Sequence, residues 1–423
     1  MTSAPTVLIV GLGYVGLPLA QAFADGGCVV LGYDASAAKV AALMNGDSYV
    51  EDVRPSDVSR LLESGSFVVT ADPPLPGSWD AAIIAVPTPL DDNRLPDLGA
   101  VRSAAKLVGS SLRPGALVVL ESTTYPGTTR DVLGPLLQEV SGLRAGQDFL
   151  LAFSPERVDP GNSAFSIVNT PKLVGGLDER SCRAAVALYE RAVEHVVPVG
   201  SLEVAELSKL LENTYRHVNI ALVNELAIFA HELGIDVWDV VNAASSKPFG
   251  FAPFRPGPGV GGHCLPVDPS YLSWRVRSTL NKSFRFIELA NEVNDLMPDY
   301  VVQRLLIAAN DLGDALRGKK VAVLGLSYKA DVGDTRESPA WSILESLARL
   351  GAEPIVFDPH VQPRQEDSWT QRVWSSDSLA DIDYGVLVTD HSQFLQQQQW
   401  LSSLKFVLDT RGRLLAAPNL ERL

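Results

Sequence analysis

The sequence predicts an α/β protein with two Rossmann-like doubly wound domains, joined by a long central helix within an α-helical middle domain. Three observations predict it: strand–helix alternation from Thr6 to about Val199, an unbroken helical run from Leu202 to Leu233, and a restart of the strand–turn pattern at Lys319. The expected domains are 1–200, 201–316 and 317–423. A chain of 423 residues is too long for a single core.

The first region reads as strands at TVLIV, CVVLGYD, AAIIAV, ALVVL and HVVPV, several of them continuously apolar and so buried on both faces. Helical stretches such as AQAFADGG and GAVRSAAKLVGSSL separate them, which indicates βαβ units and a parallel sheet. The run from Leu202 contains neither Gly nor Pro, and Gly234 is placed to cap it. About 30 helical residues span about 45 Å, enough to join two domains and to form an oligomer contact. A Pro/Gly-dense loop, FGFAPFRPGPGVGGHCLPVDPS, follows, and further helices run to about Leu316. From Lys319 the order strand, Gly-x turn, helix, strand ending in Asp repeats that of the N-terminus, although any βαβ unit has this outline.

Gly11-Leu12-Gly13-Tyr14-Val15-Gly16 follows the first strand and opens a helix. Gly11 makes the tight turn, Gly13 lets the backbone approach a pyrophosphate, and Gly16 lets helix and strand pack closely. The helix N-terminus then offers its unpaired N–H groups to the phosphates. Asp34 ends the next strand, placed to bind ribose hydroxyls and to repel a 2′-phosphate, so NAD is the expected cofactor. The alternative for Asp34 is an ordinary strand-end turn residue. Tyr14, Val15 and Lys39 join the expected cofactor contacts, with Thr88 at the carboxyl edge of the sheet.

Composition narrows the partners. A net charge of −15 argues against nucleic acid or an anionic membrane surface, while a local basic cluster can still hold an anionic small molecule. Cys28, Cys182 and Cys264 are too few and scattered for a disulfide framework or a metal site, and a reducing, cytoplasmic setting suits them. The N-terminus reads as a buried strand and turn, not a signal peptide, and no membrane span is expected.

Cys264 lies in Pro258-Gly259-Val260-Gly261-Gly262-His263-Cys264-Leu265-Pro266-Val267-Asp268, where glycines permit close backbone approach to a ligand. A thiol there can attack a carbonyl carbon once its pKa is lowered. Cys28 and Cys182 read as inert buried residues. Lys209 and Asn213, four apart on the long helix, face one side and can converge on an oxyanion. Spacing alone favours a solvated lysine with a polar neighbour.

The segments IVGLGYVGLPLA, VPTPL, ESTTYPGTT, SPERVDPG, AELSKLLENTYR, GPGVGGHCLPVDP and GLSYKADVGDTRESP resemble, in this order, the UDP-glucose/GDP-mannose dehydrogenase family. The resemblance covers nearly the whole chain. It implies an NAD domain, a central helix that mediates dimerisation, a C-terminal nucleotide-binding domain, and a four-electron oxidation consuming two NAD+. It also implies Cys264 as nucleophile, Lys209 and Asn213 as oxyanion partners, and Asp268 as the carboxylate supporting hydrolysis. Thr124 and Glu156 match the pair that handles protons through a water, with Thr124 also near the cofactor. Arg255 and Lys329 match nucleotide-sugar contacts, joined by Arg157, Val158 and Gly262, and Arg336 matches a residue near the cofactor pyrophosphate. His263 is a rival base but matches a position of varied type, so it is read as a loop or substrate contact.

Glucose-oxidising relatives commonly carry a second glutamate four residues beyond the one matching Glu156, and Pro160 stands there in this chain. With PGPGVGGHC, this resembles the branch acting on UDP-N-acetylhexosamines, UDP-GlcNAc or UDP-ManNAc, with UDP-glucose as the alternative. A single-step 3-hydroxyacid-type dehydrogenase and an NAD-binding regulator without chemistry are the competing readings. The expected release of NADH per sugar is two, one and none, respectively.

Overall fold

A computed structural model describes residues 4–50, 52–91, 93–158, 164–262, 264–362, 369–396 and 398–423. Pro160 and His263 lie outside these residues, and Cys264 is described by its backbone alone. The chain divides into two units: Met1–Glu212 with Ser270–Asn281, and Asn213–Pro269 with Lys282–Leu423.

The first unit opens with β1 (Thr6–Val10), α1 (Gly16–Asp25), β2 (Val29–Tyr33), α2 (Ala37–Met44), α3 (Pro55–Glu63) and β3 (Phe67–Thr70). Next come β4 (Ala81–Ile84), α4 (Gly99–Ser111) and β5 (Leu117–Leu120). A π-helical turn, Thr129–Leu133, runs into α5 (Gly134–Ser141), followed by β6 (Leu150–Phe153), β7 (Lys172–Gly176), α6 (Glu179–Tyr189) and β8 (Val196–Val199). The sheet order is β3-β2-β1-β4-β5-β6-β7-β8. Runs such as AAII and LVVL are buried along their whole length, because helices cover both faces of a parallel sheet.

One expectation needs correcting. β6 and β7 pair antiparallel, Ala152 opposite Gly176, whereas every other neighbouring pair is parallel. A parallel return needs a crossover of a dozen or more residues, usually helical, and the described residues between these strands contain no helix.

Two helices are shared between the units. α7 (Leu202–Glu232) belongs to the first unit through Glu212 and to the second from Asn213. It stops where expected: Gly234 has φ +69° and Ile235 N–H reaches back to Ala230 O at 2.8 Å. α8 (Val237–Ser245) follows, capped by the Asp236 carboxylate on Trp238 N, and then α9 (Cys264–Leu280), whose residues from Ser270 belong to the first unit.

The second unit continues with α10 (Arg285–Asp311), β9 (Lys320–Leu324), α11 (Pro339–Arg349), β10 (Glu353–Phe357) and β11 (Thr370–Arg372). It closes with β12 (Tyr384–Leu387), α12 (Ser392–Gln396), β13 (Phe406–Asp409) and β14 (Leu420–Arg422). Its wholly parallel sheet runs β11-β10-β9-β12-β13-β14, the 3-2-1-4-5-6 order of a doubly wound nucleotide-binding fold. The chain thus holds two Rossmann-like sheets and a helical middle region, as the periodicity predicts.

Candidate active site

The glycine turn has the geometry its spacing predicts. Gly11 adopts φ +97°, and a Cβ there would sit 2.5 Å from Ala85 O. A Cβ on Gly16 would lie 1.8 Å from Gly11 O, so only glycine lets α1 start against the turn. Gly13 meets nothing within 4 Å, leaving its backbone approachable, and Tyr14 beside it is exposed. Asp34 is buried and accepts Leu12 N–H and Ser36 N–H, each at 2.9 Å, with Lys39 Nζ at 3.7 Å. Those two amides leave acceptor capacity on its oxygens, so the residues present fit a ribose diol. Thr88 is buried after β4.

Beyond β5 the same unit gathers further expected residues. Thr124 is buried, and its Oγ1 has no hydrogen-bond partner among the described residues, which suits a hydroxyl waiting for a ligand or a water. Glu156 accepts Val158 N–H on Oε1 and holds Lys209 Nζ 3.6 Å from Oε2, with both side chains nearly covered. Arg157 turns to Glu212, Nη2 to Oε1 at 2.7 Å, and to Pro171 O.

Sequence reasoning missed Glu206, one turn before Lys209. Fully buried, it accepts Gly127 N–H at 2.6 Å, Thr129 N–H at 2.9 Å and Thr129 Oγ1–H at 2.7 Å. It therefore holds the segment that follows Thr124. Burial pushes its carboxyl up to about 7 against the pull of these donors, and the Glu203 charge adds to the rise. A raised value means that folding takes up a proton. The stability from this group is complete well below that value and is lost as pH climbs through about 7. The stability advantage of the parent over Glu206→Gln should therefore shrink by up to roughly 3 kcal/mol between about pH 5 and about pH 8. Denaturant melts at both ends of the range measure it, and a constant advantage would mean that Glu206 stays ionised throughout.

A second missed group is the buried trio Glu121, Lys172 and Tyr189. Lys172 Nζ lies 2.8 Å from Glu121 Oε1, and Tyr189 OH donates to the same oxygen at 2.6 Å. Burial and the Glu121 charge hold the phenol well above its usual range. Burial also raises the thiols of Cys28 and Cys182, as inert residues require, although Cys182 is only half-buried and donates to Val174 O.

In the second unit Asn213 Nδ2 donates to Asp268 Oδ2 at 2.5 Å, with both residues buried. Arg255 is exposed, its guanidinium 5.9 Å from the Trp238 ring centroid, and Nη2 reaches Asn242 Oδ1 at 3.4 Å. The glycine-dense loop makes close contacts that the sequence does not disclose. A Cβ on Gly261 would meet Tyr328 Cβ at 2.7 Å and Glu337 O at 2.9 Å, and one on Gly262 would strike the Tyr328 ring. Gly262 N–H donates to Arg336 O at 3.0 Å. The close approach these glycines permit is to the chain's own segment 328–339, which carries Lys329 and Arg336. Arg336 forks onto Asp334, with Nη2 2.6 Å from Oδ2.

Known proteins match this chain over nearly its whole length. Residues 5–193 match the NAD binding domain of the UDP-glucose/GDP-mannose dehydrogenase family, residues 203–296 its central domain, and residues 322–415 its UDP binding domain. The chain is 34% identical over 420 residues to the UDP-N-acetyl-D-mannosamine dehydrogenase of Salmonella typhimurium, covering 96% of this chain and 98% of that one. It is 35% identical over 416 residues to the NDP-N-acetyl-D-galactosaminuronic acid dehydrogenase of Ralstonia nicotianae, covering 96% of each. The solved UDP-D-ManNAc dehydrogenase of Pyrococcus horikoshii superposes with a TM-score of 0.89 at 33% identity, covering 99% of this chain and 98% of that one.

Proposed function

This chain belongs to the UDP-glucose/GDP-mannose dehydrogenase family, and from that membership we propose that it oxidises C6 of a UDP-N-acetylhexosamine to the carboxylate through a thioester on Cys264. It is an NAD-dependent nucleotide-sugar dehydrogenase with a UDP binding domain. The observation that carries the chemical reading is the pairing of Lys209 with Glu156 and of Asn213 with Asp268, on successive turns of α7.

Bound NAD+ supplies the hydride acceptor, and each of the two oxidations consumes one NAD+. Glu156, acting through a water held with Thr124, takes the C6 hydroxyl proton as the aldehyde forms. The Cys264 thiolate then adds to the aldehyde carbon, and Lys209 and Asn213 steady the oxyanion that results. This adduct is needed because an aldehyde cannot itself give up the second hydride. Loss of hydride from the thiohemiacetal gives the thioester, and water, supported by Asp268 and Lys209, releases the carboxylate and restores the thiol. Asn213 keeps a second amide N–H beyond the one given to Asp268, so it can serve both partners.

Arg255 and Lys329, with Arg157, Val158 and Gly262, are assigned to the nucleotide sugar, and Arg336 to the cofactor pyrophosphate. The proposed layout is an NAD domain over 1–200, a central domain over 201–316 and a UDP-sugar domain over 317–423. Tyr215, Leu222, Leu226 and Phe229 leave an exposed apolar stripe along α7, which supports association of two copies through it. Among the described residues no helix is long and apolar enough to cross a membrane.

The sugar is assigned from SPERVDPG, PGPGVGGHC and the N-acetylated sugars in the names of the relatives. A site built to pair an acetamido group rejects a sugar lacking it by about 10⁴-fold. kcat/KM for UDP-GlcNAc, UDP-ManNAc and UDP-glucose under saturating NAD+, with NADH counted per sugar, tests the reading. The expected result is two NADH per sugar and UDP-glucose last; UDP-glucose in first place would defeat the branch assignment and leave the dehydrogenase intact.

A further inference from the structure

The turn after β9 begins as a copy of the turn after β1. Gly325 has φ +98° and donates to Phe357 O at 2.8 Å, as Gly11 at φ +97° donates to Tyr33 O at 2.8 Å. Asp358 follows β10 as Asp34 follows β2. One of its oxygens accepts Leu326 N–H at 2.7 Å and the other accepts His360 N–H at 2.8 Å, the counterparts of Leu12 and Ser36.

From there the copies part. Ser327 and Ala330 stand where the first turn has Gly13 and Gly16. Asp358 also accepts Ser327 N–H at 2.9 Å, Val361 N–H at 3.0 Å and His391 Nε2–H at 3.1 Å. Five donors converge on a carboxylate with about four lone-pair sites, so none is left for a ribose diol. Burial would raise this carboxyl, but the His391 bond and the Ser327 and His360 amides outweigh it and bring it to about 2.

We propose that His391 is a positioning residue for nucleotide-sugar binding: it takes the acceptor that a dinucleotide ribose would use and holds the segment 327–331, with Lys329, in its binding shape. The proposal rests on the reading of the second unit as the site of the uridine nucleotide. His391 is fully buried, and its Nδ1 accepts Asp331 N–H at 2.9 Å, which places the ring proton on Nε2 between Asp358 and Ser327 Oγ. Asp331 has φ +59°, a left-handed conformation that a non-glycine residue keeps only when held. Ser392 completes the hold with N–H to Oδ1 at 2.9 Å and Oγ–H to Oδ2 at 2.5 Å. Ser327 Oγ–H also reaches Lys329 O at 3.0 Å, and Thr389 Oγ1–H reaches Ser327 O at 2.5 Å.

Asp331, His360 and His391 offer ligand atoms within 4.8 Å of one another, which invites a metal reading. The Nδ1 lone pair is already given to Asp331 N–H, so a cation would keep only two exposed ligands, Asp331 and His360.

Calorimetric titration of UDP and, separately, NAD+ into the full chain tests the proposal. His391→Ala should weaken UDP by at least ~10-fold and NAD+ by less than ~2-fold. His391→Asn, whose amide oxygen can still accept Asp331 N–H, should recover much of that loss. Ser392→Ala, which removes only the outer bond, should weaken UDP by roughly 3-fold and serves if His391→Ala does not fold. Unchanged UDP affinity in the folded variants, or equal loss for both ligands, overturns the role of His391. A parent chain that binds no UDP overturns instead the reading of the second unit on which the role depends.

Discussion

Cys264→Ser should lose at least ~10³-fold in steady-state turnover, as expected when a covalent step is removed. The first oxidation needs no thiol, so a single-turnover experiment should still show a fast phase of NADH no greater than the enzyme. Serine keeps the shape but offers a far less acidic nucleophile, and an ester formed slowly from its hemiacetal, with a second NADH per enzyme, would accumulate. Mass spectrometry of the arrested enzyme would find it. Cys182→Ser is the control and should stay near parental turnover, because its thiol donates to Val174 O and burial raises its pKa. Near-normal turnover in Cys264→Ser would take the thiol out of the reaction.

The next largest effects belong to Lys209 and Asn213. Each alanine variant should depress turnover by roughly 10²–10³-fold, the scale of losing one preorganised donor to an oxyanion. Lys209→Ala also leaves Glu156 without its ammonium neighbour, and Asn213→Ala leaves Asp268 without its amide donor. Removing both members of a pair should therefore cost less than the sum of the single losses. Alanine is the best helix former, so circular dichroism should show α7 intact. Loss of helix in step with loss of activity would reduce both residues to scaffold.

The parts of the fold legible in the sequence are those whose cause is local. Continuous apolar runs, a Gly/Pro-free stretch and Gly234 disclose β1, β4, β5 and α7, because period and breaker act over a few residues. The antiparallel turn-back at β7 was hidden, since it depends on what the chain between β6 and β7 fails to form. Among site residues, the glycine turn and Asp34 were readable because their partners lie within one βαβ unit. Glu206, the Glu121–Lys172–Tyr189 trio and His391 were not, since the bonds that Glu206, Glu121 and His391 make span 33 to 79 positions. A buried carboxylate and a solvated one look alike until the fold supplies the donors.

The glycine loop was conspicuous by composition, while its neighbour within the chain was not legible. Because Gly261 and Gly262 are moulded to Tyr328 and Glu337, the cysteine loop is not a portable part. Grafted onto a foreign scaffold as PGPGVGGHC alone, it would arrive without the surface that shapes it. An engineer would have to transplant segment 328–339 with it, and a designer who trimmed Tyr328 to make room would be loosening the mould around the two glycines.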